Sequence, residues 1–198
     1  MDPFTIGVTG GIGSGKSAFC RFFEQRNVPV FYADDEVRRM MNEDPQVRAS
    51  VIKLLGPSAY QKNELDRKWV GSIVFNDPAK LKALTDITSP AIMRRFRKWR
   101  DSQTAPFVLM EAATLIESGA HKEVDHIVTV TAPEDVRIKR AMERDKATEE
   151  QTRAKLNNQL PEEERLKHAN SIIHNDGTIE RLEDQAWDLL RYLRRLTA

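Results

Sequence analysis

Five short runs of apolar, mostly β-branched or aromatic residues punctuate the chain, at residues 4–9, 28–32, 107–110, 126–131 and 171–173. Most of the intervals between them carry apolar residues at the three- and four-residue spacing of helices. This alternation predicts an α/β fold, a parallel five-stranded sheet with helices on both faces and ligands outside the carboxyl ends of its strands. Between the second and third runs lie about seventy residues without a convincing strand, several times longer than one crossover needs. They predict a helical insertion with pieces at residues 35–41, 45–55, 66–74 and 78–100, the last carrying Leu81, Leu84, Ile87 and, past Pro90, Ile92, Met93 and Phe96. A further helix opens after Pro133 and runs through Arg144, a very polar stretch with little core of its own covers 145–167, and Asp176-Gly177 reads as a turn. The closing helix, 178–196, aligns Ile179, Leu182, Trp187, Leu190 and Leu193 as a stripe facing the core.

Composition narrows the class. At 198 residues, 40% hydrophobic and 31% charged, the chain is long enough for a real core and too short for two large domains. Lys and Arg number 31 against 30 Asp and Glu, a net charge of +1 that gives no global attraction to nucleic acid or anionic lipid. No stretch approaches the roughly 18 apolar residues of a membrane span, and no charged-flanked apolar segment opens the chain. The lone Cys20 falls on the apolar side of its helix and reads as a core residue in a reducing compartment. A soluble, cytoplasmic protein is expected.

Chemistry enters directly after the first apolar run, where Gly10-Gly11-Ile12-Gly13-Ser14-Gly15-Lys16-Ser17 fits G-x-x-x-x-G-K-[ST]. Glycines let backbone N–H groups turn inward, the following helix (Ala18, Phe19, Phe22, Phe23) presents its positive end, Lys16 adds a cation and Ser17 offers a hydroxyl to Mg²⁺. The motif therefore predicts a phosphate site. Asp34, Asp35 and Glu111 fall at strand ends, where phosphoryl transfer needs a carboxylate to take the proton of an attacking hydroxyl. Asp34 is the candidate base; the alternative is that Asp34 or Asp35 caps a helix beginning at Glu36. Glu111 either holds a Mg²⁺ water or pairs with Lys16. Arg140 and Arg144 share one helix face beside a strand end, and Arg137 can join them. His121, His126, His168 and His174 are scattered without metal-ligand spacing, so no zinc site is expected, and the absence of a G-x-S-x-G elbow argues against acyl transfer.

Taken together, these residues resemble the dephospho-coenzyme A kinases, P-loop enzymes that phosphorylate the ribose 3′-hydroxyl of dephospho-CoA with ATP. Val8-Thr9 and the glycine-rich run look like that family's opening, and Tyr32-Ala33-Asp34 lies on its Asp-Ala-Asp. Leu65-Asp66-Arg67, Gly71, Val74-Phe75, Asp77, Leu81, Leu84 and Pro90 follow its insertion, Leu115-Ile116-Glu117 a later segment, Arg140 with Arg144-Asp145 its lid arginines, Gln159 its lid glutamine, and residues 172–177 its turn near adenine. The departures are Tyr32 for the first Asp, Ser89 for His, Ala113 and Thr114 for Pro-Leu, and Asn170 for Asp; none removes a phosphate-handling group. The resemblance implies a P-loop NTPase-type core (1–35, 105–135, 165–198), an acceptor-binding insertion (36–104) and a lid (136–164). It implies Gly11, Ile12, Gly13, Ser14, Gly15, Lys16, Ser17 and Asn175 for ATP, Asp34, Lys16, Arg140 and Arg144 for catalysis, Ser17 and Glu111 for Mg²⁺, and Asp34, Arg67, Phe75 and Ser89 for an acceptor held between core and insertion. The alternatives are another P-loop small-molecule kinase, or a non-catalytic nucleotide switch, whose guanine-reading N-K-x-D string is missing.

Overall fold

A computed structural model describes residues 2–197. The first apolar run is β1 (Phe4–Thr9), almost wholly buried as befits a middle strand. It leads into α1 (Lys16–Glu24), whose Phe19, Cys20, Phe22 and Phe23 are buried, and then to β2 (Val30–Tyr32). The chain divides into two compact units, one running through Phe31 and resuming at Gln103, the other Tyr32–Ser102.

In the second unit, α2 (Ala33–Glu43) and α3 (Pro45–Leu55) are joined by Asp44, whose carboxylate accepts from Gln46 N at 2.9 Å and Val47 N at 3.1 Å while Pro45 occupies the first helical position. Asp66 caps α4 (Arg67–Val74) and Asp77 caps α5 (Pro78–Asp101) in the same way, so aspartates set three of the four helix starts here. Arg95 ties α5 to α2 through Glu36 at 3.2 Å and Glu43 at 2.9 Å. Two expectations are corrected in this unit. The insertion contains a small antiparallel hairpin, β3 (Tyr60–Gln61) and β4 (Glu64–Leu65), turned by Lys62 and Asn63, both at positive φ. Strands of two residues leave no periodicity to read, and a Lys-Asn turn lacks the usual glycine. Nor does Asp34 or Asp35 cap α2: the helix begins at Ala33, three residues before the expected Glu36 start, and both aspartates lie inside its first turn, where negative charge is favoured by the helix dipole.

The first unit resumes with β5 (Phe107–Glu111), β6 (His126–Thr131) and β7 (Ser171–His174). The five-stranded parallel sheet has the order β2-β5-β1-β6-β7, with Val8 beside Glu111 and Val128, so β1 and β5 finish together. Three helices, α6 (Glu134–Asp145), α7 (Glu149–Asn157) and α8 (Glu162–Leu166), separate β6 from β7, and α9 (Ile179–Leu196) closes the chain. α9 packs on α1, the Trp187 ring lying 6.2 Å from Phe22 and 6.3 Å from Phe23. Ile179, expected in the apolar stripe, is exposed at the helix's first position; Ala186 and Leu189 complete the buried face instead. Cys20 is a buried core thiol, and burial, reinforced by the Glu111 charge, pushes its pKa up and away from reactivity.

Candidate active site

Residues 10–15 leave β1 and swing into α1. Gly13 and Gly15 adopt φ of 75° and 97°, the left-handed region that glycine alone enters without strain. A Cβ on Gly13 would also overlap the Arg137 carbonyl oxygen, so the first turns of α6 sit hard against the loop. Lys16 is the first residue of α1, and its side chain folds back over the loop. Its ammonium donates to Gly10 O at 3.0 Å and Gly11 O at 3.4 Å and stands 4.0 Å from Glu111 Oε1. Both side chains are buried, so in this structure Glu111 stands as the carboxylate facing the Lys16 ammonium. Ser17 is exposed in the first turn of α1. Ser14 Oγ is buried without a hydrogen-bond partner among the described residues.

From the other side the loop is lined by residues that follow β6 and β7. Asn175 donates through Nδ2 to Ser14 O at 2.8 Å and accepts at its own carbonyl from Arg140 Nη1 at 3.0 Å, linking Arg140 to the loop through one residue. Arg137 is buried with its Nη1 against Gly11, and its Nη2 lies 3.3 Å from Glu162 Oε2, while the Thr131 hydroxyl at the end of β6 donates to Glu162 Oε1. Gln159, between α7 and α8, accepts from Ile12 N at 2.8 Å. Arg165, 1% exposed, donates to Leu160 O at 2.8 Å; burial holds its pKa below the ordinary arginine value, opposed by the charges of Glu117 and Glu162.

One cluster thus gathers Gly11, Ile12, Gly13, Ser14, Gly15, Lys16, Ser17, Glu111, Arg140 and Asn175. Arg144 grips Asp145 through Nε at 2.8 Å and Nη2 at 3.2 Å, and this hydrogen bonding, with the charges of Asp145 and Glu111, raises its pKa above the ordinary arginine value. The remaining candidates belong to the other unit. Asp34 is exposed and makes no hydrogen bond or ion pair among the described residues, whereas neighbouring Asp35 is taken up by Arg38 at 2.6 Å. Arg67 and Phe75 stand at opposite ends of α4, about 12 Å apart along its axis, with the exposed Phe75 ring folded back on Gly71. Ser89 is half-buried on α5. Sequence reasoning left out Glu162 and Arg165 and gave Glu117 only as part of the Leu115-Ile116-Glu117 segment, not as a hydrogen-bond partner of Leu160 N. Only the i, i+3 spacing of Arg137 from Arg140 hinted at Arg137, and nothing in a short polar helix marks Arg165 as buried.

Arg144 holds the Asp145 carboxyl down to about 2, with Lys155 at 3.2 Å adding to the effect. A folded-state value below the unfolded one means stabilisation that is present above the ordinary carboxylate range and fades as pH falls toward 2. Asp145→Asn is therefore expected to lower Tm at pH 7, with the gap to wild type largely closed by pH 2. A gap that persists unchanged at pH 2 would assign the loss to shape instead of charge.

No group of three or more His, Cys, Asp or Glu able to hold a metal occurs among the described residues. The exposed Ser17 hydroxyl and the Glu111 carboxylate nonetheless suit Mg²⁺, which keeps most of its ligands as waters and phosphate oxygens instead of a protein cage. No helix among the described residues is long and apolar enough to cross a membrane.

A family model described as dephospho-CoA kinase (CoaE) matches residues 4–181. The dephospho-CoA kinase of Salinibacter ruber is 35% identical over 189 residues, covering 93% of this chain and 95% of its own. That of Chlorobaculum tepidum is 36% identical over 193 residues, covering 92% and 91%. Among solved structures, TT1252 from Thermus thermophilus superposes with a TM-score of 0.84 at 32% identity, over 98% of this chain and 99% of that one. A shikimate kinase from Acinetobacter baumannii, at TM-score 0.61 and 15% identity over 98% and 94% of the two chains, shares the fold.

Proposed function

The chain belongs to the dephospho-CoA kinase family, and from that premise we propose that it transfers the terminal phosphoryl group of ATP to the ribose 3′-hydroxyl of dephospho-CoA, giving coenzyme A. The observation that carries this reading is the glycine-rich loop with the Lys16 ammonium folded over it at 3.0 Å from Gly10 O. Such transfer depends mainly on position and charge. The loop N–H groups and Lys16 hold the phosphate chain. Arg140, steadied on the Asn175 carbonyl, and Arg144, released from Asp145, add guanidinium charge as oxygens gain it. Asp34 accepts the proton of the attacking hydroxyl, a role supported by its place on the family's Asp-Ala-Asp and by a carboxylate that no described neighbour engages. Mg²⁺, held by Ser17 with Glu111 through water, supplies further charge neutralisation to the phosphates when bound.

Residues 136–164 serve as the lid, shielding the reaction from water that would otherwise hydrolyse ATP. Residues 36–104 recognise the acceptor. There the exposed Arg67 suits the diphosphate of dephospho-CoA, the exposed Phe75 ring its adenine, and Ser89 supplies a hydroxyl where the family has His. The compartment is the cytoplasm, in keeping with a single buried thiol.

A coupled assay of ADP release with ATP and Mg²⁺ tests the reading. Release is expected to depend on dephospho-CoA, with pantetheine, adenosine and AMP inert as acceptors. Equal rates without acceptor would leave only an ATPase, and a preference for AMP or adenosine would move the chain to another kinase class.

A further inference from the structure

Gln159 offers the phosphate loop something a nucleotide also offers. Its carboxamide oxygen accepts from Ile12 N at 2.8 Å, and a backbone amide carries a single hydrogen. A phosphate oxygen bound to Ile12 N must take that hydrogen from Gln159. We propose that Gln159 is a tethered competitor for the phosphate cradle and that it sets nucleotide affinity by occupying Ile12 N until a phosphate displaces it. The inference rests on the phosphate-loop reading given above.

Three observations decide how the exchange proceeds. The backbone on either side of Gln159 is fastened: Gln159 N donates to Leu156 O at 3.0 Å, Leu160 N to Glu117 Oε1 at 3.0 Å, and Arg165 Nη2 to Leu160 O at 2.8 Å. The side chain is therefore the part that moves, by rotation about its own bonds. It has somewhere to go, because a cavity of about 420 Å³ lies beside it, lined by Gln159 with Arg137, Leu156, Leu160, Glu162 and Arg165. The direction of exchange follows from charge. Arg137 Nη1 lies against Gly11 and Lys16 Nζ donates to Gly10 O and Gly11 O, so the loop beside Ile12 carries two cations, each with a carboxylate partner, Glu162 at 3.3 Å and Glu111 at 4.0 Å. A neutral amide oxygen is the weaker acceptor there, and a phosphate oxygen forms the charge-assisted bond that displaces it.

The two substitutions at this position are expected to act in opposite directions. Gln159→Ala removes the competitor and should tighten the Kd for ADP, measured calorimetrically with Mg²⁺, by about 2- to 10-fold, the worth of one neutral hydrogen bond. Gln159→Glu keeps the reach and the acceptor but adds charge, so it should hold Ile12 N more firmly, repel the phosphates and weaken the Kd about 10-fold or more. A residue that merely props up the lid would weaken binding in both variants, and thermal melts of all three proteins report whether they remain folded. Wild-type binding of ADP with Gln159→Ala equal or weaker overturns the competition alone. Failure of the folded wild-type protein to bind ADP overturns the phosphate-loop reading, and the competition with it.

Discussion

Replacing Lys16 with Met is expected to lower kcat/KM for phosphoryl transfer by about 10³-fold. The ammonium is preorganised: two loop carbonyls hold it at 3.0 and 3.4 Å, and Glu111 stands 4.0 Å away. A group already fixed and largely withdrawn from water needs no reorganisation when charge builds on the transferring oxygens, and there it is worth far more than a solvated lysine. Met keeps the length and removes the charge, so phosphate would meet the buried Glu111 carboxylate with less cation between them. Lys16→Arg separates charge from fit. A guanidinium is planar and wider than an ammonium, and it cannot hang from the same pair of carbonyls in the same way. Its expected loss is still about 10²-fold. Steady-state kinetics with varied ATP reads both variants, and near wild-type turnover by Lys16→Arg would show that bulk positive charge suffices.

The phosphate loop was the most legible part of this chain because its chemistry is local. Glycines at φ values other residues avoid, a cation at the first helical position and an apolar strand before it all fall within residues 4–17, so spacing alone carries the loop. The five strands were legible for a related reason: β1, β5 and β6 are buried on both faces and read as continuous apolar runs. What spacing does not carry is long-range pairing between polar groups. The bond from Gln159 to Ile12 joins residues 147 apart, and that from Asn175 to Ser14 joins residues 161 apart. Arg165 shows the same limit more sharply, since a short helix of sequence EEERL reads as solvated charge until Leu160 O and the neighbouring acids account for it. The start of α2 is less legible for a subtler reason. Asp is a strong capping residue, and the sequence offers two in a row, yet α2 starts at Ala33 without any side-chain cap. Without a capping role, Asp34 makes no hydrogen bond or ion pair among the described residues.

Asp34→Asn is expected to lower kcat by about 10²- to 10⁴-fold while leaving ATP binding nearly intact. Asn has the same shape and can still accept a hydrogen bond, but it is not a base, so the substitution removes proton acceptance and little else. Two features of α2 make the experiment selective. Asp34 stands in the first turn with no described partner, so its amide leaves no ion pair broken, and the neutral Asn forfeits only a modest helix-end interaction. Asp35, one residue on, is paired with Arg38 at 2.6 Å on the surface, where such a pair contributes little. Asp35→Asn is therefore the internal control, expected to keep kcat within about twofold of wild type. If the base assignment holds, the Asp34→Asn deficit shrinks as pH rises, because hydroxide takes over the proton that the carboxylate no longer accepts. A deficit that is flat with pH and accompanied by a raised KM for dephospho-CoA would make Asp34 an acceptor-binding residue, and equal losses in the two variants would trace the effect to the α2 helix start.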